Sequence, residues 1–580
     1  VPNSRNAFFT LENLGAPEGS RAVGPVFRQI PRKPTAEPFR GLGSRRALAP
    51  TSGMCIEFEV RVCAERVFGH PAEMRPFSLR VLTYSLLAAI GFPVVAYAQY
   101  ATDASAPLAI RATTSDDVQP KHASAPNGGS YLSYFSGTGY DVRLTRLDAN
   151  GNAVWKAGDL LIEDRTNSST TDYGLASDAL GNAYVAYEVG SSIICTSVSP
   201  EGAIRWRKTV SFAAGGSVGR VTVANDGFIW VAFIEGSATR VQRLDVDGNP
   251  SFPLGILLNE TGASMFCADL KPSEAGAIIV SCVRYVTFSG AKILRAHRVN
   301  ADGTKPWAAA GTSVFTTGSL QFGNFPSFIA DGAGGAYFTW YTSSPLQCFA
   351  QRVNAAGAVQ YGTSGIAVTT TSTTERVSPS MVLGGDGRLY VFWSQHTPNS
   401  SIYGIYGQCF DAGARQWGVN GIAVAPLATT YSRTWATAAR VNGGIACFYD
   451  DSPSATQDNI RCGLLNAKGT VTSTIDVAVN SGVKYRLLAV DGMDDGSLLF
   501  WQGGATTGAS DVFGARVNAD GSLGPPPASN PADLDGDGVI NAADLALLLS
   551  NWGASGVGDI DGDGTVGAAD LSALLAAWMA

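Results

Sequence analysis

The chain has 580 residues, of which 45% are hydrophobic and 15% charged, with a formal net charge of −7. That much apolar sequence excludes a disordered chain and allows several large cores. Residues 1–98 carry 12 Lys/Arg against 7 Asp/Glu, so the remainder is more acidic than the whole, and with no basic stripe a nucleic-acid partner is excluded.

Residues 1–73 are rich in Arg and Pro, lack clear periodicity and read as a non-native or disordered leader. Translation is expected to start at Met74. A basic segment, Met74-Arg-Pro-Phe-Ser-Leu-Arg80, precedes an apolar run from Val81 to Val95 and the triplet Ala96-Tyr-Ala98. These three parts make a secretory signal peptide over 74–98, with a mature chain from Gln99. A small N-terminal domain ahead of an internal apolar strand is the alternative. The run is short and interrupted by Pro93, so no transmembrane span is expected in the mature chain. The expected location is secreted, extracellular or associated with the cell envelope.

Export permits disulfides. Cys195, Cys267, Cys282, Cys348, Cys409, Cys447 and Cys462 follow the signal, without a CxxC pair that would suggest zinc. They read as buried small hydrophobes. Cys267 with Cys282, and Cys447 with Cys462, are candidate bridges across neighbouring strands.

From 99 to 524 the chain repeats itself. A polar turn closing on Gly recurs as Asp148-Ala-Asn-Gly151, Ser199-Pro-Glu-Gly202, Asp245-Val-Asp-Gly248 and Asn300-Ala-Asp-Gly303. It continues as Asn354-Ala-Ala-Gly357, Asp411-Ala-Gly413, Asn466-Ala-Lys-Gly469 and Asn518-Ala-Asp-Gly521. An aromatic often follows, as at Trp155, Trp206, Trp307, Tyr361 and Trp417. A second glycine turn leads into apolar-aromatic strands such as Gly227-Phe-Ile-Trp-Val-Ala-Phe233 and Gly387-Arg-Leu-Tyr-Val-Phe-Trp393. Two hairpin turns per unit of roughly 50 residues give about four strands, the content of one propeller blade. The fold class is mainly β: a seven- or eight-bladed β-propeller-like repeat domain, with an open solenoid or tandem sandwiches as runners-up. Recurring aromatics read as core between blades rather than a carbohydrate platform. The Asp/Asn turns read as turns, because those residues tolerate positive φ.

No catalytic constellation stands out. His122, His297 and His396 lie in neither an HExxH pattern nor a GxSxG elbow. His297 reads as a solvent-facing strand residue. Glu188, Glu235 and Glu375 fall in or near loops, where solvated charges are expected. Paired carboxylates for glycoside hydrolysis come from distant parts of a fold and leave no local signature. Catalytic residues are therefore unknown.

Residues 525–532 form a Pro-rich linker. Beyond it, 533–580 holds two copies of one motif. The first places Asp533, Asp535, Asp537, Val539, Asn541 and Asp544 at loop positions 1, 3, 5, 7, 9 and 12. The second places Asp559, Asp561, Asp563, Thr565, Gly567 and Asp570 there, and each has Gly at position 6. Calcium takes six to eight oxygens in flexible geometry. Side chains at 1, 3, 5 and 12 and the carbonyl at 7 supply them, so two Ca2+ ions are expected. Ile540 and Val566, at position 8, are expected to join the loops by a short strand contact. Matching apolar helices follow. The duplicated loop-helix segments, with Asp at position 12, resemble a type I dockerin of the EF-hand-like kind. The resemblance implies calcium-dependent docking to a cohesin-like partner. Positions 10 and 11 are Ala542-Ala543 and Ala568-Ala569, and neither helix carries Lys or Arg, so a cell-envelope protein fits equally well.

The functional reading is a secreted calcium-binding protein with a dockerin-like attachment module and a propeller-like ligand-binding or adhesion domain, non-catalytic, with carbohydrate as a candidate ligand. The alternative is a secreted carbohydrate-active enzyme of glycoside hydrolase type, acting in polysaccharide catabolism and delivered to a complex by its dockerin.

Overall fold

Each repeat folds as an antiparallel sheet because two kinds of glycine turn reverse the chain at regular intervals. In the polar turns the closing glycine is left-handed, with φ of +92° at Gly151, +88° at Gly202 and +80° at Gly357. The opening side chain braces the same turn. Asp148 Oδ1 accepts from the N–H groups of Asn150 and Asn152 at 2.9 and 2.8 Å. Asn354 does the same for Ala356 and Ala358.

The computed structural model describes residues 99–578, except 168–170, 213–214, 322, 430, 455–456, 507–508, 528–529 and 535–539. The leader 1–73 and the signal peptide 74–98 lie outside the described residues. Eight sheets follow one another. Their first strands are Asp117–Ser124, Gly174–Ser177, Gly216–Val223, Ser264–Pro272, Phe328–Ala330, Glu375–Leu383, Ser432–Val441 and Val483–Asp491. These strands contact one another in succession, and the eighth returns to the first, so they ring a central axis. The protein is an eight-bladed β-propeller with two small helices towards its C-terminal end. The ring closes on its own beginning: Leu108–Arg111 pairs with Ala509–Val517 as the outermost strand of the eighth blade.

The recurring aromatics clip each blade to the next. Trp155 Nε1 donates to the carbonyl of Pro200 at 2.9 Å, Trp206 to Val246 at 2.8 Å and Trp307 to Ala355 at 3.0 Å. Each acceptor lies in the polar turn of the following blade. The turn glycine is also the seat for the ring. A Cβ on Gly357 would stand 2.6 Å from Trp307, and one on Gly469 2.8 Å from Trp417. Positive φ and ring contact thus select glycine for two separate reasons. The second-strand tryptophans Trp230, Trp340, Trp393 and Trp501 are buried between sheets.

All seven described cysteines are free and buried. The proposed Cys447–Cys462 bridge is corrected. Cys447 stands opposite Gly463 and Cys462 opposite Phe448, so the two thiols point to opposite faces and enter different cores. Cys267 does stand opposite Cys282, but both are free thiols, and burial raises both pKa values.

His297 is also corrected: it is buried, 1% exposed, because the third strand of a blade is covered on both faces. Neither ring nitrogen has a partner among the described residues, and burial pushes its pKa down to about 3.

The C-terminal segment forms helix α1, Ala542–Ser550, and helix α2, Ala568–Trp578. Asn541 caps α1 in a capping box with Asp544. Ala532, Leu548, Val566 and Leu574 are the buried centre of a small core. Ala532, the last residue of the expected linker, thus packs with the helical module. The strand contact expected at position 8 takes another form. Val566 pairs its N–H with the carbonyl of Ala554 and its carbonyl with the N–H of Gly553, while Ile540 packs into the core through its side chain.

Candidate functional site

The second C-terminal loop gathers carboxylates. Ligand atoms of Asp559, Asp561 and Asp563 lie within 4.8 Å of one another. The loop holds them by turns of its own: Asp559 Oδ2 accepts from the N–H of Gly564 at 2.9 Å, Asp561 Oδ1 from Asp563 at 3.1 Å and Asp563 Oδ1 from Thr565 at 2.8 Å. Asp559 Oδ1 is buried and has no hydrogen-bond partner among the described residues. Three acidic groups this close repel, and an unpartnered buried carboxylate oxygen is costly, unless a cation lies among them. The chemistry fits a hard divalent ion.

Asp570 is placed differently. Its Oδ1 accepts from the N–H groups of Ile560 at 2.6 Å and Asp561 at 3.0 Å, and its Oδ2 from Gly567 at 2.6 Å. The N–H groups of Asp561 and Gly567 are the main causes that lower its pKa. Asp544 repeats the arrangement, accepting from Leu534 at 2.7 Å and Asn541 at 2.8 Å. Position 12 therefore ties each loop to its helix. Of the first loop, Asp533, Asn541 and Asp544 are described, whereas Asp535, Asp537 and Val539 lie outside the described residues.

Both helices show apolar side chains to solvent at matching places. Leu549 and Trp552 on and just after α1 are exposed, as are Leu575 and Trp578 on α2. The duplication thus carries two equivalent apolar surfaces beside two equivalent loops.

A second concentration of unusual residues lies on the propeller axis. In five first strands, two residues stand opposite one of the neighbouring strand. The first residue of each bulge has positive φ: Gln119 at 56°, Val218 at 54°, Ser378 at 52°, Trp435 at 58° and Arg486 at 54°. Glycine normally takes this place. A bulky side chain held there carries about 1–2 kcal/mol of backbone strain. Trp435 is 41% exposed although it lies on an axial strand, and Arg486 is exposed too. Nearby, Asp172 bridges Lys121 and Arg220, each at 2.6 Å. Arg486 lies within electrostatic reach of Lys121 and Asp172 but forms no ion pair among the described residues.

The other titratable groups are tied into the scaffold. Glu375 lies 3.4 Å from His396, and Glu235 pairs with Arg240 at 2.5 Å. His122 stacks on Phe500, and burial lowers its pKa to about 4. Glu188 is half-buried, and burial raises its pKa. Burial first, then Asp458, raises Asp450 well above the carboxylate range. No helix among the described residues is long and apolar enough to cross a membrane.

No family model matches the chain, and no curated protein does. Among solved structures, a protein of unknown function from Dyadobacter fermentans is 13% identical, with a TM-score of 0.38 over 70% of this chain and 96% of its own. A polysaccharide lyase of family PL25, an ulvan lyase, is 11% identical, with a TM-score of 0.40 over 70% of this chain and 96% of its own. Oligopeptidase B from Leishmania major is 9% identical, with a TM-score of 0.41 over 68% of this chain and 54% of its own. Likeness at this level says nothing of what the chain binds.

Proposed function

We propose that this protein is a secreted or envelope-associated binding protein, non-catalytic, whose propeller presents a ligand site and whose C-terminal module tethers it through calcium. The observation that carries the reading is the cluster of Asp559, Asp561 and Asp563 around the unpartnered Asp559 Oδ1. Asp559, Asp561, Asp563 and the Thr565 carbonyl would hold one ion. Asp533, Asp535, Asp537, Val539 and Asn541 would hold a second. Asp544 and Asp570, the position-12 ligands of the two ions, would also brace the loops on their helices. Bound calcium screens repulsion that otherwise opposes folding, so the module is stabilised by its metal. The repeated pair Leu549/Trp552 and Leu575/Trp578 supports docking, because a module with so small a core gains little from leaving such side chains in water. The partner is a cohesin-like or cell-envelope protein.

The test is sedimentation of the protein with an envelope fraction of its source organism. Retention in millimolar calcium, release by a chelator, and loss on Leu549→Ser together with Leu575→Ser are expected. Retention unchanged by chelation would sink the tethering role.

A further inference from the structure

The axial mouth of the ring has a composition that scaffolding alone does not explain. It combines an exposed indole and an exposed guanidinium in a protein whose net charge is −7. The cations are Lys121, Arg220 and Arg486, joined by Lys271. Opposing them are Asp172, which bridges Lys121 and Arg220, and Asp269, which pairs with Lys271 at 3.3 Å and lies within electrostatic reach of Arg220. Asp450 and Asp458 face Lys484 further round the ring, and Arg486 is left without an ion pair among the described residues.

The placement of Trp435 and Arg486 is specific. Trp435 and Ala436 stand opposite the gap between Asp450 and Phe448, and Arg486 and Leu487 opposite that between Gln502 and Phe500. They hold the same bulge position in adjacent blades. The equivalent residues elsewhere are smaller or buried: Gln119 is 3% exposed, and Val218 and Ser378 are half-buried. Strain that a glycine would relieve is kept at the two adjacent blades whose bulges carry an indole and a guanidinium. An indole face stacks on the apolar face of a flat ring, and a guanidinium pairs with an oxyanion.

We propose that this mouth, bounded by Trp435, Arg486, Lys121 and Arg220, binds an oxyanion-bearing sugar of an acidic polysaccharide, with Trp435 as the stacking face and Arg486 as the anion's partner. The inference rests on the ligand-binding reading of the propeller and names its ligand class. Free carboxylates and sulfate monoesters share the required chemistry. A single-stranded nucleic acid has the same two features, but such strands stack successive bases on several aromatic side chains, whereas Trp435 is the one exposed indole on the axial strands among the described residues, which favours a glycan.

The test is calorimetry of the full chain with polygalacturonate, dextran sulfate, neutral dextran and a 20-nucleotide oligothymidylate. Binding to one of the two acidic polysaccharides is expected, and which one identifies the charged group. Arg486→Gln and Trp435→Gly should each weaken it by about tenfold or more. Trp435→Gly should do so without lowering the melting temperature, because glycine suits the bulge. A wild-type chain that binds dextran as well, that binds the oligonucleotide more tightly, or that binds neither acidic polysaccharide overturns the inference. So does wild-type affinity in both variants, or a loss of binding that occurs only where folding is lost. Calcium uptake by the same preparations is read separately, so failure here leaves the tethering role standing.

Discussion

His297 occupies a position where three sister blades have glutamine. Gln242, Gln351 and Gln408 each hold the loop that leads to the fourth strand, donating to Phe252, Gly362 and Gly418 at 2.6, 2.7 and 2.7 Å. Their Oε1 atoms accept from the same loops, as from Tyr361 at 2.7 Å and Trp417 at 2.9 Å. His297 makes neither contact among the described residues. His297→Gln should therefore stabilise the protein by about 1 kcal/mol, read as a higher denaturant midpoint. It should also reduce acid sensitivity. The folded pKa of about 3 lies below the ordinary 6.5, so the unfolded chain binds the extra proton first. Stability linked to this histidine is complete above pH about 6.5 and is lost as pH falls toward 3. A midpoint unchanged at neutral pH and at pH 4.5 would contradict the assignment. Neither this site nor the Trp435–Arg486 pair was legible in the sequence. Alternation along Leu294–Val299 does not tell that both faces are covered. Bulges are normally marked by glycine, and these carry Gln, Val, Ser, Trp and Arg instead.

At the level of elements, the hairpin turns were the most readable feature, because Asn, Asp and Gly are required there by positive φ. The recurring aromatics were readable as core for a related reason, since each sits against the next turn's glycine. The outermost strands were not readable where they are only two residues long, as at Thr312–Ser313 and Ile366–Ala367. The closing strand was hidden too, because Leu108–Arg111 finds its partner some 400 residues away. That strand should be decisive for stability. Deleting 99–112 removes the buried Tyr100 and Leu108, a loss of about 3–5 kcal/mol, and bares the edge of Ala509–Val517. A lower melting temperature and self-association by light scattering are expected. A deletion variant that stays monomeric with an unchanged melting temperature would show that closure does not depend on this strand.

At the scale of the whole molecule, one chain combines a rigid ring with a small module that depends on its loops. The ring gains stability from blade-to-blade clips repeated around the axis, and five of its axial strands carry a strained bulge residue. The module has a core of four buried residues and three converging carboxylates. Its loops were the most legible candidate site in the sequence, because the carboxylate spacing of a calcium loop is local and was repeated. The backbone N–H groups that Asp544 and Asp570 accept from were not, since position 12 shows only as a ligand in the spacing. Calorimetric titration of the metal-free full chain with calcium tests the account most directly. Uptake of two ions is predicted for the wild type, and of one for Asp559→Ala with Asp561→Ala. A chain that takes up no calcium, or whose uptake those substitutions leave unchanged, would contradict it.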